Sequence, residues 1–203
     1  MKIKICGITL EDDAHVVEAE GADYIGFIFY PKSARYLSID QAAELRQSLK
    51  TNIKTVGVFV NEAPETIQTI AEKVALDCIQ FHGEESVSSM NAFSAYDCLK
   101  ALSIKSESDL EKADEYGNFQ LLVDTPSPEY GGSGQTCDWS LASKLAKKHP
   151  IFLAGGINLS NCIEAIETVA PYGLDLSSGV EISKGIKDHQ KIIDFMAAVN
   201  PYR

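Results

Sequence analysis

Residues that could do chemistry cluster where short apolar runs of this sequence stop. KIKIC ends on Cys6 ahead of Gly7, CIQF runs into His82 and Gly83, QLLVD ends on Asp124, IFLA runs into Gly155 and Gly156, and LDL runs into Ser177, Ser178 and Gly179. A thiol is a usable base only as thiolate, and an ordinary pKa of ~8.5 leaves a few per cent ionised near neutrality. A carboxyl with an ordinary pKa of ~3.9 is a poor acid at neutral pH unless burial or nearby negative charge raises it. Plainer readings stand beside these: Cys6 as a buried core thiol and Asp124 as a helix cap. Residue type alone leaves both pairs open.

Gly155-Gly156 and Ser177-Ser178-Gly179 suggest an anion site. Small residues let backbone N–H groups approach a phosphate, and a helix N-terminus adds about half a positive charge. One Gly-Gly would read as a tight turn; two such loops in succession read as a phosphate cradle. Arg35, in the segment after the second run, offers a planar fork for a carboxylate. His82 reads first as a structural hydrogen-bonding group that could add polarity to a substrate site. The stretch YGGSGQTCDW at 130–139 imitates a nucleotide-binding loop but lacks its lysine and spacing. It reads instead as a loop that closes over the site after strand six.

Something must hold these residues together, and the pattern of runs predicts what it is. Strands are expected at Lys2–Cys6, Tyr24–Phe29, Thr55–Val60, Cys78–Phe81, Cys98–Ala101, Gln120–Asp124, Ile151–Ala154 and Leu174–Ser177. Helices are expected between them at Glu11–Glu20, Ile39–Leu49, Pro64–Val74, Ser86–Ala95, Glu107–Tyr116, Ser140–Lys148 and Ser160–Val169, with a last one near His189–Val199. Asp40, Asn61 and Asp138 are the candidate caps. Eight strand–helix units imply parallel strands with right-handed crossovers. The first turn, CGIT, lacks the Gly-rich fingerprint of an open dinucleotide-binding sheet. A single (β/α)₈ TIM barrel over residues 1–203 is the better solution, and its active site lies at the C-terminal strand ends.

The bulk properties narrow the partners. The formal net charge of −11 argues against nucleic acid and against an anionic membrane surface. No apolar stretch approaches the ~20 residues of a membrane span, and no signal-peptide pattern develops at the N-terminus, so a cytoplasmic protein is expected. The five cysteines are scattered without a CxxC pair, which speaks against a disulfide framework or a zinc site.

In order along the chain, KICGIT, GFIFYPKSARYLS, VGVFVN, QFHGEE, LLVDT, YGGSGQTCDW, LAGG and DLSSGVE resemble the phosphoribosylanthranilate isomerases of tryptophan biosynthesis from one end to the other. Ala34, Cys137 and Ile157-Asn158 depart from that family's usual residues without removing a catalytic side chain. The resemblance implies an Amadori rearrangement of N-(5-phosphoribosyl)anthranilate, with no cofactor and no metal. It assigns Cys6 as general base and Asp124 as general acid. Arg35, His82, Gly155, Gly156, Ser177, Ser178 and Gly179 are then expected to contact the phosphorylated substrate, in a monomer or homodimer. Rival readings are another phosphate-binding barrel, such as indole-glycerol-phosphate synthase or ribulose-phosphate epimerase, and a non-catalytic phosphometabolite sensor. The synthase needs several active-site lysines where this chain offers Lys100, and a sensor needs neither Cys6 nor Asp124.

Lys4 calls for its own explanation. Strand side chains alternate, so Lys4 shares the face of Cys6 and lies one layer deeper in the barrel. A buried ammonium needs a carboxylate, and Asp175 on the adjoining eighth strand is the expected partner. Such a cation is also expected to help hold Cys6 as thiolate.

Overall fold

The computed structural model describes residues 1–124 and 138–203. Eight strands, β1 (Lys2–Cys6), β2 (Tyr24–Ile28), β3 (Lys54–Phe59), β4 (Cys78–Phe81), β5 (Asp97–Ser103), β6 (Gln120–Asp124), β7 (Ile151–Leu153) and β8 (Gly173–Leu176), form a closed barrel in chain order. Every pair is parallel, including β8 against β1, which closes the ring. The helices between them are α1 (Glu11–Ala19), α2 (Ile39–Ser48), α3 (Pro64–Val74), α4 (Val87–Met90), α5 (Glu107–Asp114), α6 (Trp139–Ala146), α7 (Cys162–Val169) and α8 (His189–Val199). This is the expected (β/α)₈ barrel, with element boundaries as expected or displaced by one or two residues except at the end of the fourth helix.

Strand alternation divides the apolar residues into two cores. Ile3, Ile5, Ile25, Phe27, Phe59, Ile79, Leu121 and Val123 pack outward under the helices. Val56, Cys78, Leu99, Ala101, Leu122, Phe152 and Ala154 form a second cluster inside the barrel. In β1 the residues between the outward isoleucines, Lys4 and Cys6, therefore face the lumen.

The local signals did not all act as expected. Asp138 does cap α6, accepting from the backbone N–H groups of Ser140 and Leu141. Asp40 does not cap α2; Ser38 does, in a reciprocal capping box with Gln41. Asn61 does not cap α3, which starts at Pro64 after Ala63. Asn61 instead takes a left-handed φ of 51° and accepts a hydrogen bond from the Glu84 N–H. The fourth helix is shorter than Ser86–Ala95: α4 gives way to a 3₁₀ turn, Asn91–Phe93. Its serines bond locally, Ser89 Oγ donating to the Ser86 carbonyl, which competes with helix propagation.

A short helical turn after Ser177-Ser178-Gly179 was expected and is present, starting at Ser178, but the hairpin that follows it was not anticipated. Between β8 and α8 a 3₁₀ turn, Ser178–Val180, leads into an antiparallel hairpin of β9 (Glu181–Ser183) and β10 (Ile186–Lys187). Gly185 turns it with a φ of 86°.

Candidate active site

Cys6 closes β1 and is 6% exposed. Its room comes from Gly26, its register partner on β2, where a Cβ would sit 2.8 Å from Cys6 Sγ. Beneath it, Lys4 Nζ donates to Asp175 Oδ1 at 2.9 Å, and the two residues are register partners on β1 and β8. The expected Lys4–Asp175 pair is therefore present, fully buried on the lysine side.

The electrostatic expectation for Cys6 is only half met. Burial pushes its thiol above the ordinary value, and the charge of Asp175 adds to this. Lys4 and Lys187 pull the other way without overcoming the burial. The net direction is upward, because desolvation of an anion in a buried site outweighs the two cations. Lys4 itself is raised: burial would lower it, but Asp175 and Cys6 hold its proton in place.

A second buried network lies against the same strand ends. Arg35 donates through Nε and Nη2 to the two oxygens of Glu181, each at 2.7 Å. Lys187 Nζ donates to Glu181 Oε1 at 3.0 Å, to the Cys6 carbonyl at 2.7 Å and to the Ser177 carbonyl at 3.2 Å. Lys187 thus ties the end of β1 to the residue that follows β8. Although burial pushes Glu181 up, Arg35 and Lys187 together bring it below the ordinary carboxylate range. Arg35 was expected as a loop cation; it is 8% exposed and held from behind by Glu181. Gly7, at a φ of 72°, leaves space for its side chain, since a Cβ there would meet Arg35 Cδ at 2.5 Å.

On the far side of the mouth, Asp124 ends β6 at 9% exposure. His82 Nε2 lies 3.4 Å from Asp124 Oδ2. His82 Nδ1 lies 2.8 Å from Nε2 of Gln80, a buried residue of β4. Burial pushes the Asp175 carboxyl up; Lys4 opposes this, Asp124 adds to it and His82 opposes it, so Asp175 feels both halves of the site. Lys100 is committed elsewhere, donating to Glu85 Oε2 at 2.9 Å and to the Gly83 carbonyl.

The two small-residue loops converge. Gly155 and Gly156 both take left-handed φ values, 77° and 66°. A Cβ on Gly179 would overlap the Ile157 carbonyl oxygen, so only glycine lets the loops after β7 and β8 touch. Beside them Ser177 Oγ is buried and has no hydrogen-bond partner among the described residues. Most of the 130–139 stretch lies outside the described residues.

The site residues are thus placed as a thiol, a carboxyl, a guanidinium and a small-residue cradle at one end of one barrel. A family model described as N-(5'phosphoribosyl)anthranilate (PRA) isomerase matches residues 3–198. The chain belongs to that family. Among relatives of this isomerase family, the N-(5'-phosphoribosyl)anthranilate isomerase of Thermotoga maritima is 43% identical over 198 residues, which is 97% of each chain. A crystal structure of phosphoribosyl anthranilate isomerase from Thermotoga maritima superposes with a TM-score of 0.94 at 42% identity, covering 99% of both chains. A second phosphoribosyl anthranilate isomerase structure, in complex with reduced 1-(o-carboxyphenylamino)-1-deoxyribulose 5-phosphate, gives a TM-score of 0.90 at 38% identity and 99% coverage of both. The protein is accordingly an isomerase built on a TIM barrel.

Glu181, Lys187 and Gln80 are the site residues that sequence reasoning missed. Strand alternation was the available signal for Gln80, which must share the face of His82 two residues on. Glu181 closes the DLSSGVE motif and could have been found there, whereas Lys187, on the unanticipated hairpin, gave no signal.

Proposed function

We propose that this isomerase converts N-(5'-phosphoribosyl)anthranilate into 1-(2-carboxyphenylamino)-1-deoxyribulose 5-phosphate in tryptophan biosynthesis, with Cys6 as general base and Asp124 as general acid. The observation that carries the reading is the pairing of a buried thiol and a buried carboxyl at strand ends of one barrel mouth. Asp124 protonates the furanose ring oxygen, which opens the ring to a Schiff base. Cys6 then takes the proton from the sugar C2, giving an enolamine that tautomerises to the ketone. A raised thiol supplies fewer thiolates, but each is a stronger base. The anthranilate carboxylate is assigned to Arg35, whose Nε and Nη2 are held by Glu181. Turnover of the aminoaldose, followed by the change in its anthranilate fluorescence, tests the reading. Absence of turnover by folded protein would reject it.

The phosphate is assigned to the backbone of Gly155-Gly156 and Ser177-Ser178-Gly179. The unpartnered Ser177 hydroxyl supports this, since a buried donor without an acceptor is costly unless a ligand supplies one. Ser177→Ala is expected to raise KM about tenfold, the loss of one hydrogen bond to a charged group, with kcat nearly unchanged. Steady-state kinetics check this; a kcat loss at constant KM would place the phosphate elsewhere.

A further inference from the structure

Gln80 stands out inside the barrel. It occupies a lumen position on β4 at 1% exposure, and its register neighbours, Val58 and Leu99, are apolar. Its Oε1 is buried without a partner among the described residues. An apolar side chain of similar size would avoid that cost. The amide earns its place through its other end, the Nε2 that lies 2.8 Å from His82 Nδ1.

An amide N–H can only donate, so this contact makes Nδ1 the acceptor nitrogen of the imidazole. A neutral ring then carries its proton on Nε2, the nitrogen that faces Asp124 Oδ2 at 3.4 Å. We propose that Gln80 is a positioning residue of the isomerase: it fixes His82 as the Nε2–H tautomer, and that N–H orients the Asp124 carboxyl toward the sugar ring oxygen. The opposite tautomer would turn a lone pair toward the carboxyl, drawing the Asp124 proton to the histidine rather than to the substrate. At 3.4 Å the two atoms face each other without an ordinary hydrogen bond, and the N–H closes on Oδ2 as substrate binds, whether Asp124 is protonated or not. This inference rests on the reading of Asp124 as the acid.

The test combines tautomer and turnover. Long-range ¹H–¹⁵N spectra of the unliganded ¹⁵N-labelled enzyme near pH 7 report the tautomer of His82, identified by its loss in His82→Gln. The wild-type ring is expected as the Nε2–H form. Gln80→Glu replaces the donor by an acceptor of the same shape and is expected to move a proton onto Nδ1. With it, kcat should fall at least about tenfold while KM changes less than about twofold. Gln80→Met, which neither donates nor accepts strongly, should give mixed tautomers and an intermediate kcat. A wild-type ring protonated on Nδ1 overturns the proposal without any variant, so misfolding of Gln80→Glu does not protect it. A changed tautomer with unchanged kcat overturns it while leaving Asp124 as the acid. Near-normal kcat in Asp124→Asn would instead remove the acid assignment itself, and this proposal with it.

Discussion

Lys4→Met is expected to lower the unfolding free energy by about 3–5 kcal/mol, the usual cost of removing one partner from a buried ion pair. Lys4 is wholly buried and its Nζ holds Asp175 Oδ1 at 2.9 Å, so the substitution strands a carboxylate in the lumen. Burial, with a further push from Asp124, already raises the Asp175 carboxyl, so without Lys4 the cost is that of keeping it charged in the lumen or of neutralising it. For a chain of this length the loss corresponds to a fall in Tm on the order of 10 °C. The double variant Lys4→Met/Asp175→Leu should recover most of it, because an apolar pair avoids both desolvation penalties. Calorimetry on the two variants decides the matter. A single variant melting within about two degrees of wild type would show that the pair carries little stability.

The sign of the pH dependence follows from the direction of the Lys4 shift. Lys4 is raised in the folded state, so its stabilisation is complete below the ordinary lysine value of ~10.4 and is lost only as pH rises through the folded value. The lysine half of the pair is therefore charged across the neutral range, whereas burial pushes the Asp175 carboxyl up, so the pair is lost from the acid side as Asp175 takes a proton. The double variant also separates stability from electrostatics. Lys4 pulls the Cys6 thiol down and Asp175 pushes it up, so Lys4→Met removes only the first influence and the double variant removes both. The pH at which Cys6 becomes alkylatable, already expected above ~8.5 in the wild type, should therefore rise in Lys4→Met and change less in the double variant.

The parts of the site legible in the sequence were those set by strand geometry. Alternation put Lys4 and Cys6 on one face, and the closing of the barrel put Asp175 next to Lys4, where the pair meets at 2.9 Å. The strand-end rule likewise gathered Cys6, His82, Asp124 and the two small-residue loops at one mouth. What the sequence hid depends on the loop after β8. Glu181 and Lys187 look like ordinary surface charges, yet the hairpin folds them inward, where Arg35 and two main-chain carbonyls give them partners. The Cys6 ionisation was misjudged for a related reason. The cations beside it could be read from residue types, whereas the degree of burial that outweighs them could not. Caps failed where two candidates competed, as at Ser38 and Asp40, since either residue type can begin a helix.

Cys6→Ser is expected to lower kcat by about 10²–10⁴-fold, the range contributed by a positioned general base. The exchange keeps the shape of the side chain, and a hydroxyl fits wherever the slightly larger sulfur fitted beside Gly26. Stability should therefore change little, and binding of the phosphate and carboxylate, made elsewhere in the mouth, should leave KM near its wild-type value. What changes is the base. The Cys6 thiol is pushed up by burial, with Lys4 and Lys187 opposing the rise. An alcohol ionises so much higher that the same two cations cannot bring it into range. The loss should fall on kcat and kcat/KM alike, the mark of an interaction made only in the transition state. Single-turnover measurements on Cys6→Ser, with solvent deuterium exchange at the sugar C2, read the proton-abstraction step directly. Exchange and turnover both near wild-type rates would reject Cys6 as the base. Suppressed exchange in a folded, substrate-binding variant would assign the abstraction to this thiol.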